Sequence, residues 1–272
     1  MIEFSKFEAL GNDFVLVDAR SQKFDPAPAQ IRQLGDRHRG IGFDQLLILR
    51  HSDRAVAEID IFNQDGSVAE QCGNGMRAVA LFLKTRCQLE QGAQLGTRAG
   101  LVTVEIIDSE RISATLPKPA FDLPPSCPPE LHRAWKERRG AVEYALHYVD
   151  LGNPHLVIEV DAAPPLDLIE ELGREFSQSP ALPSGANVSL AHVIDAEHVD
   201  LSVFERGAGP TLACGSGACA TAVSLIRQQR VAETVNIDQP GGRLVINWQK
   251  GQQIRMIGPA REVFTGSFDP AD

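Results

Sequence analysis

The 272-residue chain has no apolar run near the ~18 residues that a membrane-spanning helix needs, so no membrane span is expected. It has no excess of positive charge: 26 Lys and Arg face 36 Asp and Glu, for a formal net charge of −10. Nucleic-acid and membrane-surface partners reward basic patches, and neither is expected here. The start, MIEFSKFEAL, lacks a basic stretch followed by an apolar one, so no signal peptide is read. There is no CxxC, and the five cysteines (Cys72, Cys87, Cys127, Cys214, Cys219) cannot all pair. That excludes a secreted disulfide framework and a zinc ribbon, and points to reduced thiols in the cytoplasm. A Walker motif, a dinucleotide GxGxxG unit and an obvious metal cluster are also lacking, so neither a metal nor a cofactor is expected.

What is present is the composition of a folded protein, with 43% hydrophobic and 23% charged residues. Short Val-, Ile-, Leu- and Phe-rich runs between Gly, Asp and Pro turns predict strands. Examples are 14–18, 46–49, 59–62, 101–107, 111–116, 156–160, 188–193, 244–248 and 253–257. Amphipathic surface helices are predicted at 28–37 and 167–177. Two further helices, at 75–86 and 217–229, are apolar nearly all round, with Arg77 the only charge between Met76 and Leu83. A helix of that kind is buried. The predicted fold class is α/β (α+β), two pseudo-symmetric domains, each a β-barrel-like sheet around a central buried helix. Six prolines in residues 117–129 rule out sheet or helix interior and read as a domain linker. The expected halves are 1–117 with about 262–272, and 118–261. The charged stretch containing Trp135, Arg138 and Arg139 reads as solvated surface, and the tail after Phe268 as frayed.

The two halves repeat one another. Phe62 precedes Cys72-Gly73-Asn74-Gly75 by ten positions, as Phe204 precedes Cys214-Gly215-Ser216-Gly217, at an offset of 142. Gln45 falls opposite Asn187 at the same offset, and Leu10-Gly11-Asn12 opposite Leu151-Gly152-Asn153 at 141. Polar matches at nearly one offset indicate a duplicated domain. Each Cys-Gly-x-Gly sits where a buried helix begins. Unpaired first-turn amides there bind anions and lower a thiol pKa. Two opposed thiols suit removal of a proton from one face of a carbon and delivery to the other. The other three cysteines lack this context and read as structural, with Cys219 pointing into the core.

At these residues the sequence resembles the diaminopimelate epimerases, cofactor-independent amino-acid epimerases. The matching stretches are FSKFEALGNDF from Phe4, GIGFDQLL from Gly40, the Phe62 to Arg77 segment, GNPH from Gly152, ERGAG-x-T-x-ACGSGACA from Glu205, M-x-GPA from Met256 and VF-x-G from Val263. The resemblance implies a C-terminal strand crossing back to the first domain, and a homodimer. It implies that LL-2,6-diaminopimelate is converted to the meso form, with Cys72 and Cys214 as the acid/base pair and His155 and Glu205 tuning them. Substrate contacts would come from Asn12, Gln45, Asn63, Gly73, Asn74, Asn153, Asn187, Glu205, Arg206, Gly215 and Ser216. Arg206 would suit the distal carboxylate, and Asn carbonyls with Glu205 an ammonium. The chain departs from the family at Gly185-Ala186-Asn187, where Arg-Thr-Asn is usual; the asparagine is kept and the side chains that would order the loop are lost. The rival readings are a proline or hydroxyproline racemase of the same fold, a thiol redox or metal-binding protein, and an inactive amino-acid binder.

Overall fold

The computed structural model describes residues 1–87, 89, 91–128, 131, 135–139 and 142–269. Pro129, the side chains of Trp135, Arg138 and Arg139, and the end of the tail lie outside the described residues. In chain order the first elements are β1 (Ile2–Ala9), β2 (Asn12–Asp18), α1 (Pro28–Gly35), β3 (Gln45–Arg50), β4 (Ala57–Asn63), β5 (Val68–Ala69) and α2 (Gly73–Cys87). They are followed by β6 (Gly92–Thr97), β7 (Gly100–Ile106), β8 (Ile112–Leu116), β9 (Trp135–Arg139), β10 (Val142–Asp150), β11 (Pro154–Glu159) and α3 (Leu166–Phe176). The last are β12 (Asn187–Val193), β13 (His198–Glu205), β14 (Gly209–Thr211), α4 (Gly215–Arg227), β15 (Thr234–Gln239), β16 (Gly242–Asn247), β17 (Ile254–Gly258) and β18 (Arg261–Phe268). The fold is mixed α/β. Among the described residues no helix is long and apolar enough to cross a membrane.

The chain divides into two compact units, one of Met1–Thr115 with Ile257–Asp272 and one of Leu116–Met256. Their internal topologies correspond. In the first, β1 pairs antiparallel with β2, β2 parallel with β3, β3 antiparallel with β4, β4 parallel with β6 and β6 antiparallel with β7. In the second, β10, β11, β12, β13, β15 and β16 repeat that order of directions. The register carries the sequence offset into three dimensions: Gln45 pairs with Phe14 and Asn63, while Asn187 pairs with His155 beside the Val188–Phe204 pair.

Strand β3 is an unbroken apolar run because both its faces are covered. Leu47 and Leu49 join the cluster around α2, and Leu46 and Ile48 the cluster around Ile31 of α1 and Phe43. Burying each such side chain contributes ~1.5–3 kcal/mol. Helices α2 and α4 are buried as their composition predicts, Met76, Val79 and Leu83 in one and Ala218, Cys219 and Val223 in the other. Arg77 is fully buried, and its Nε donates to the Pro259 carbonyl at 3.2 Å, tying α2 to the segment that leads into β18. β18 then pairs with β1 along its length.

The proline-rich segment is more than a connector. Leu123 and Cys127 enter the core of the second unit, the Cys127 thiol donates to the Ala181 carbonyl at 2.8 Å, and Ala120 exchanges both backbone bonds with Asp150. Proline excludes regular ladders but leaves neighbouring side chains free to pack.

Candidate active site

In the first unit, Cys72 stands just before α2, and the Gly75 amide donates to its sulfur at 3.2 Å. Gly75 is tightly enclosed: a Cβ there would lie 3.2 Å from the Leu47 methyls and 3.3 Å from the Cys72 sulfur. Leu47 therefore marks the β3 face that packs on the start of α2. Gln45, two residues earlier, shares that face at the strand end. Its Nε2 donates to Asn63 Oδ1 at 3.0 Å, and Asn63 Nδ2 donates to Ser67 Oγ at 3.0 Å. Asn74, almost fully buried, donates from Nδ2 to Asn12 Oδ1 at 3.3 Å. Asn12 in turn donates from Nδ2 to Asp44 Oδ2 at 2.8 Å. The strand ends of β2, β3 and β4 and the start of α2 thus bring four of the predicted amides onto one ledge beside Cys72.

The second unit builds the same ledge from a different set of side chains. Cys214 caps α4: its sulfur accepts from the Gly217 amide at 3.4 Å and lies 3.6 Å from Ser216 Oγ. The Cys214 amide donates to Gln239 Oε1 at 2.8 Å. Burial and the Glu205 charge push the Cys214 thiol well above its usual value, against the pull of Ser216 and the Gly217 amide. The first-turn amide does pull this thiol down, as the sequence leads one to expect, but the net shift is upward because a nearly dry sulfur beside a carboxylate resists ionisation.

His155 is fully buried and its Nε2 lies 3.2 Å from Asn153 Oδ1. Burial, with the Arg206 charge, lowers its pKa to about 3, so the ring is neutral at neutral pH. Asn187 Oδ1 accepts from the Arg206 amide at 2.8 Å, Glu205 Oε1 accepts from Thr211 Oγ1 at 2.7 Å, and the Arg206 guanidinium donates to the Ser184 carbonyl. The departing loop is ordered by its backbone. The Gly185 amide donates to Leu182 O at 2.7 Å, the Ala186 amide to Ser177 O at 3.0 Å, and Ala186 is fully buried.

The remaining cysteines divide. Cys127 and Cys219 are buried, whereas Cys87 is exposed at the end of α2, where Arg20 Nη2 donates to its sulfur at 3.3 Å. Sequence reasoning missed Asp44, Thr211 and Gln239 as partners of the site residues. Asp44 and Thr211 lie inside the quoted motifs; Gln239 has no local signal, being brought to Cys214 by the fold alone.

Known proteins resemble this chain over nearly its whole length. The diaminopimelate epimerase family model matches residues 4–118 and 147–263. A diaminopimelate epimerase of Alkalilimnicola ehrlichii is 40% identical, over 98% of this chain and 98% of its own. One from Thioalkalivibrio sulfidiphilus is 41% identical, over 98% and 99%. Among solved structures, a hydroxyproline epimerase from Agrobacterium vitis aligns with a TM-score of 0.73 at 15% identity, over 97% of this chain and 91% of that one. This last likeness is one of fold. On the full-length relatives and the matching family model, the chain belongs to the diaminopimelate epimerase family.

Proposed function

We propose that this isomerase inverts one α-carbon of LL-2,6-diaminopimelate to give the meso form, in lysine and cell-wall precursor biosynthesis. One thiol removes the α-proton and the other returns a proton to the opposite face. The observation that carries this reading is the paired helix starts: Gly75 N–H donates to the Cys72 sulfur and Gly217 N–H to the Cys214 sulfur. An α-proton beside a carboxylate is weakly acidic, and the charge that builds on that carboxylate needs fixed donors. The first-turn amides of α2 and α4, from Gly73-Asn74 and Gly215-Ser216, supply them. Glu205 and the asparagine carbonyls receive ammonium groups, and Arg206 receives the distal carboxylate. In the free protein Cys214 is held as a thiol, which suits it to act first as acid, with Cys72 as base. The chemistry needs no cofactor or metal.

The reading further holds that the protein acts in the cytoplasm, where thiols stay reduced, and that two copies associate. The exposed Val263 and Phe264 of β18 supply an apolar surface for that association.

The decisive experiment incubates the protein with LL-diaminopimelate in deuterium oxide. Loss of the α-proton signal together with appearance of the meso isomer is expected. An unchanged stereocentre would remove the substrate assignment. The proline-racemase reading is addressed by the same assay with proline, for which no exchange is expected.

A further inference from the structure

Asparagine is ambiguous as a ligand: one end of its amide accepts and the other donates, and the two have nearly the same shape. A residue that meets an ammonium must offer its oxygen. For Asn12 the choice of end is made by Asp44, whose carboxylate is surrounded by donors. Its Oδ2 accepts from Asn12 Nδ2 at 2.8 Å and from the Asp13 amide at 3.1 Å, and its Oδ1 accepts from Arg37 Nη2 at 2.8 Å. A carboxylate has nothing to donate, so only the NH2 end of Asn12 can face it. Asn12 Oδ1 is then directed to the start of α2, where it accepts from Asn74 Nδ2 at 3.3 Å and keeps a lone pair for a further donor.

Asp44 is itself held. Arg37 clamps Asp13 with contacts of 3.0 and 2.6 Å and reaches Asp44 with the same guanidinium. Lys6 Nζ, nearly buried, donates to Asp13 Oδ2 at 2.5 Å and to the Gly42 carbonyl. Burial alone would raise the Asp13 carboxyl, but Arg37 and Lys6 override it and bring it to about 2. The network is thus a connected frame of charges that runs from the buried Lys6 through Asp13 and Arg37 to the more exposed Asp44.

The equivalent position in the second unit is wired the opposite way. Asn153 turns its carbonyl oxygen to His155 Nε2 at 3.2 Å, so it is held through its oxygen. The matched asparagines are therefore anchored by different ends, Asn12 to Asp44 through its NH2 group and Asn153 to His155 through its oxygen.

We propose that Asp44 is a positioning residue that fixes Asn12 as a hydrogen-bond acceptor for a substrate ammonium group. The inference rests on the reading of the chain as a diaminopimelate epimerase with Asn12 as a substrate ligand. In Asp44→Leu no acceptor holds the NH2 end of Asn12, which can then turn over and offer N–H to the cation, whereas in Asp44→Asn the amide oxygen keeps the place of Oδ2 because the Asp13 N–H also points there.

The test measures kcat and KM for LL-diaminopimelate in wild type, Asp44→Leu, Asp44→Asn and Arg37→Gln. Circular dichroism and thermal midpoints are recorded for each. Asp44→Leu is expected to raise KM about tenfold or more, with kcat changed less than about threefold. Asp44→Asn keeps an oxygen for Asn12 Nδ2 and the Asp13 amide, and its KM should stay within about threefold of wild type. Arg37→Gln weakens the frame but leaves the Asp44–Asn12 bond, and its KM should stay within about twofold of wild type. An Asp44→Leu KM equal to wild type overturns the proposal, and so does an Asp44→Asn KM raised as far as that of Asp44→Leu. If Asp44→Leu does not fold, Asp44→Ala takes its place with the same expectations. A wild type that does not epimerise the substrate instead removes the underlying functional reading.

Discussion

The amide of Gly217 points at the sulfur of Cys214 from 3.4 Å, three residues along, at the first turn of α4. The Gly75 amide does the same for Cys72 at the first turn of α2. The two contacts place each thiol at the positive end of a buried helix. Replacing either cysteine removes one of the two proton-transfer groups. Cys72→Ala and Cys214→Ala should each lose epimerisation by about a thousandfold or more, as expected for loss of a general acid or base. Chiral chromatography of the product checks this; full activity in Cys214→Ala would end the two-thiol mechanism.

Glu205 should govern the ionisation of Cys214. Burial raises this thiol first and the Glu205 charge raises it further. Glu205→Gln removes the charge and leaves the burial, so the Cys214 thiolate should form at lower pH than in wild type. Ultraviolet thiolate absorbance followed against pH, in a Cys72→Ala background, gives the direction. An upward shift would contradict the assignment.

His155 should make the fold acid-sensitive. Its pKa is about 3 in the folded chain and near 6.5 when unfolded. A depressed histidine binds its proton first in the unfolded state. Its contribution is complete above about pH 6.5 and is lost by about 1.4 kcal/mol per pH unit as pH falls towards the folded value. The first unit carries Phe14 at the matching place, which suggests the replacement. His155→Phe should flatten the fall in thermal midpoint between these limits. An equally steep fall would show that other groups cause it.

Gly185 should resist substitution. Its φ is +70°, and a Cβ would lie 2.6 Å from the Ser177 carbonyl and 2.9 Å from Arg206 Cδ. Gly185→Ala is expected to cost about 1–3 kcal/mol of stability and to raise KM by displacing Arg206. Denaturant titration and steady-state kinetics separate the two effects. The loop's lost side chains are thus replaced by a backbone turn that only glycine fits without strain.

The parts of this molecule legible in its sequence are those set by local pattern. The offset of 142 locates both thiols, and the charge-poor runs from Met76 and Ala218 identify α2 and α4 as buried. What stays hidden depends on neighbours distant in the chain. Asp44 meets Asn12 only because β2 and β3 pair in parallel. Gln239 meets the Cys214 amide across 25 residues. The state of the Cys214 thiol escapes a sequence reading because a helix start is visible there, whereas the depth of the sulfur and the approach of Glu205 are not. Strand β1 holds Ser5 and Lys6 buried in the middle of its run, so simple alternation does not mark it.

The pairing of β1 with β18 sets Ile2 opposite Phe268. A strand made early in synthesis therefore bonds to one made much later. Throughout synthesis β1 keeps an open edge on that side, and Phe4 lacks the Phe264 and Phe268 rings that flank it in the finished fold. The intervening 116–256 unit has all its strands before that edge is closed. The order of maturation is thus the reverse of the order of translation: the half that begins the chain is the half completed last, and a truncation of about a dozen C-terminal residues would damage the N-terminal thiol's unit first.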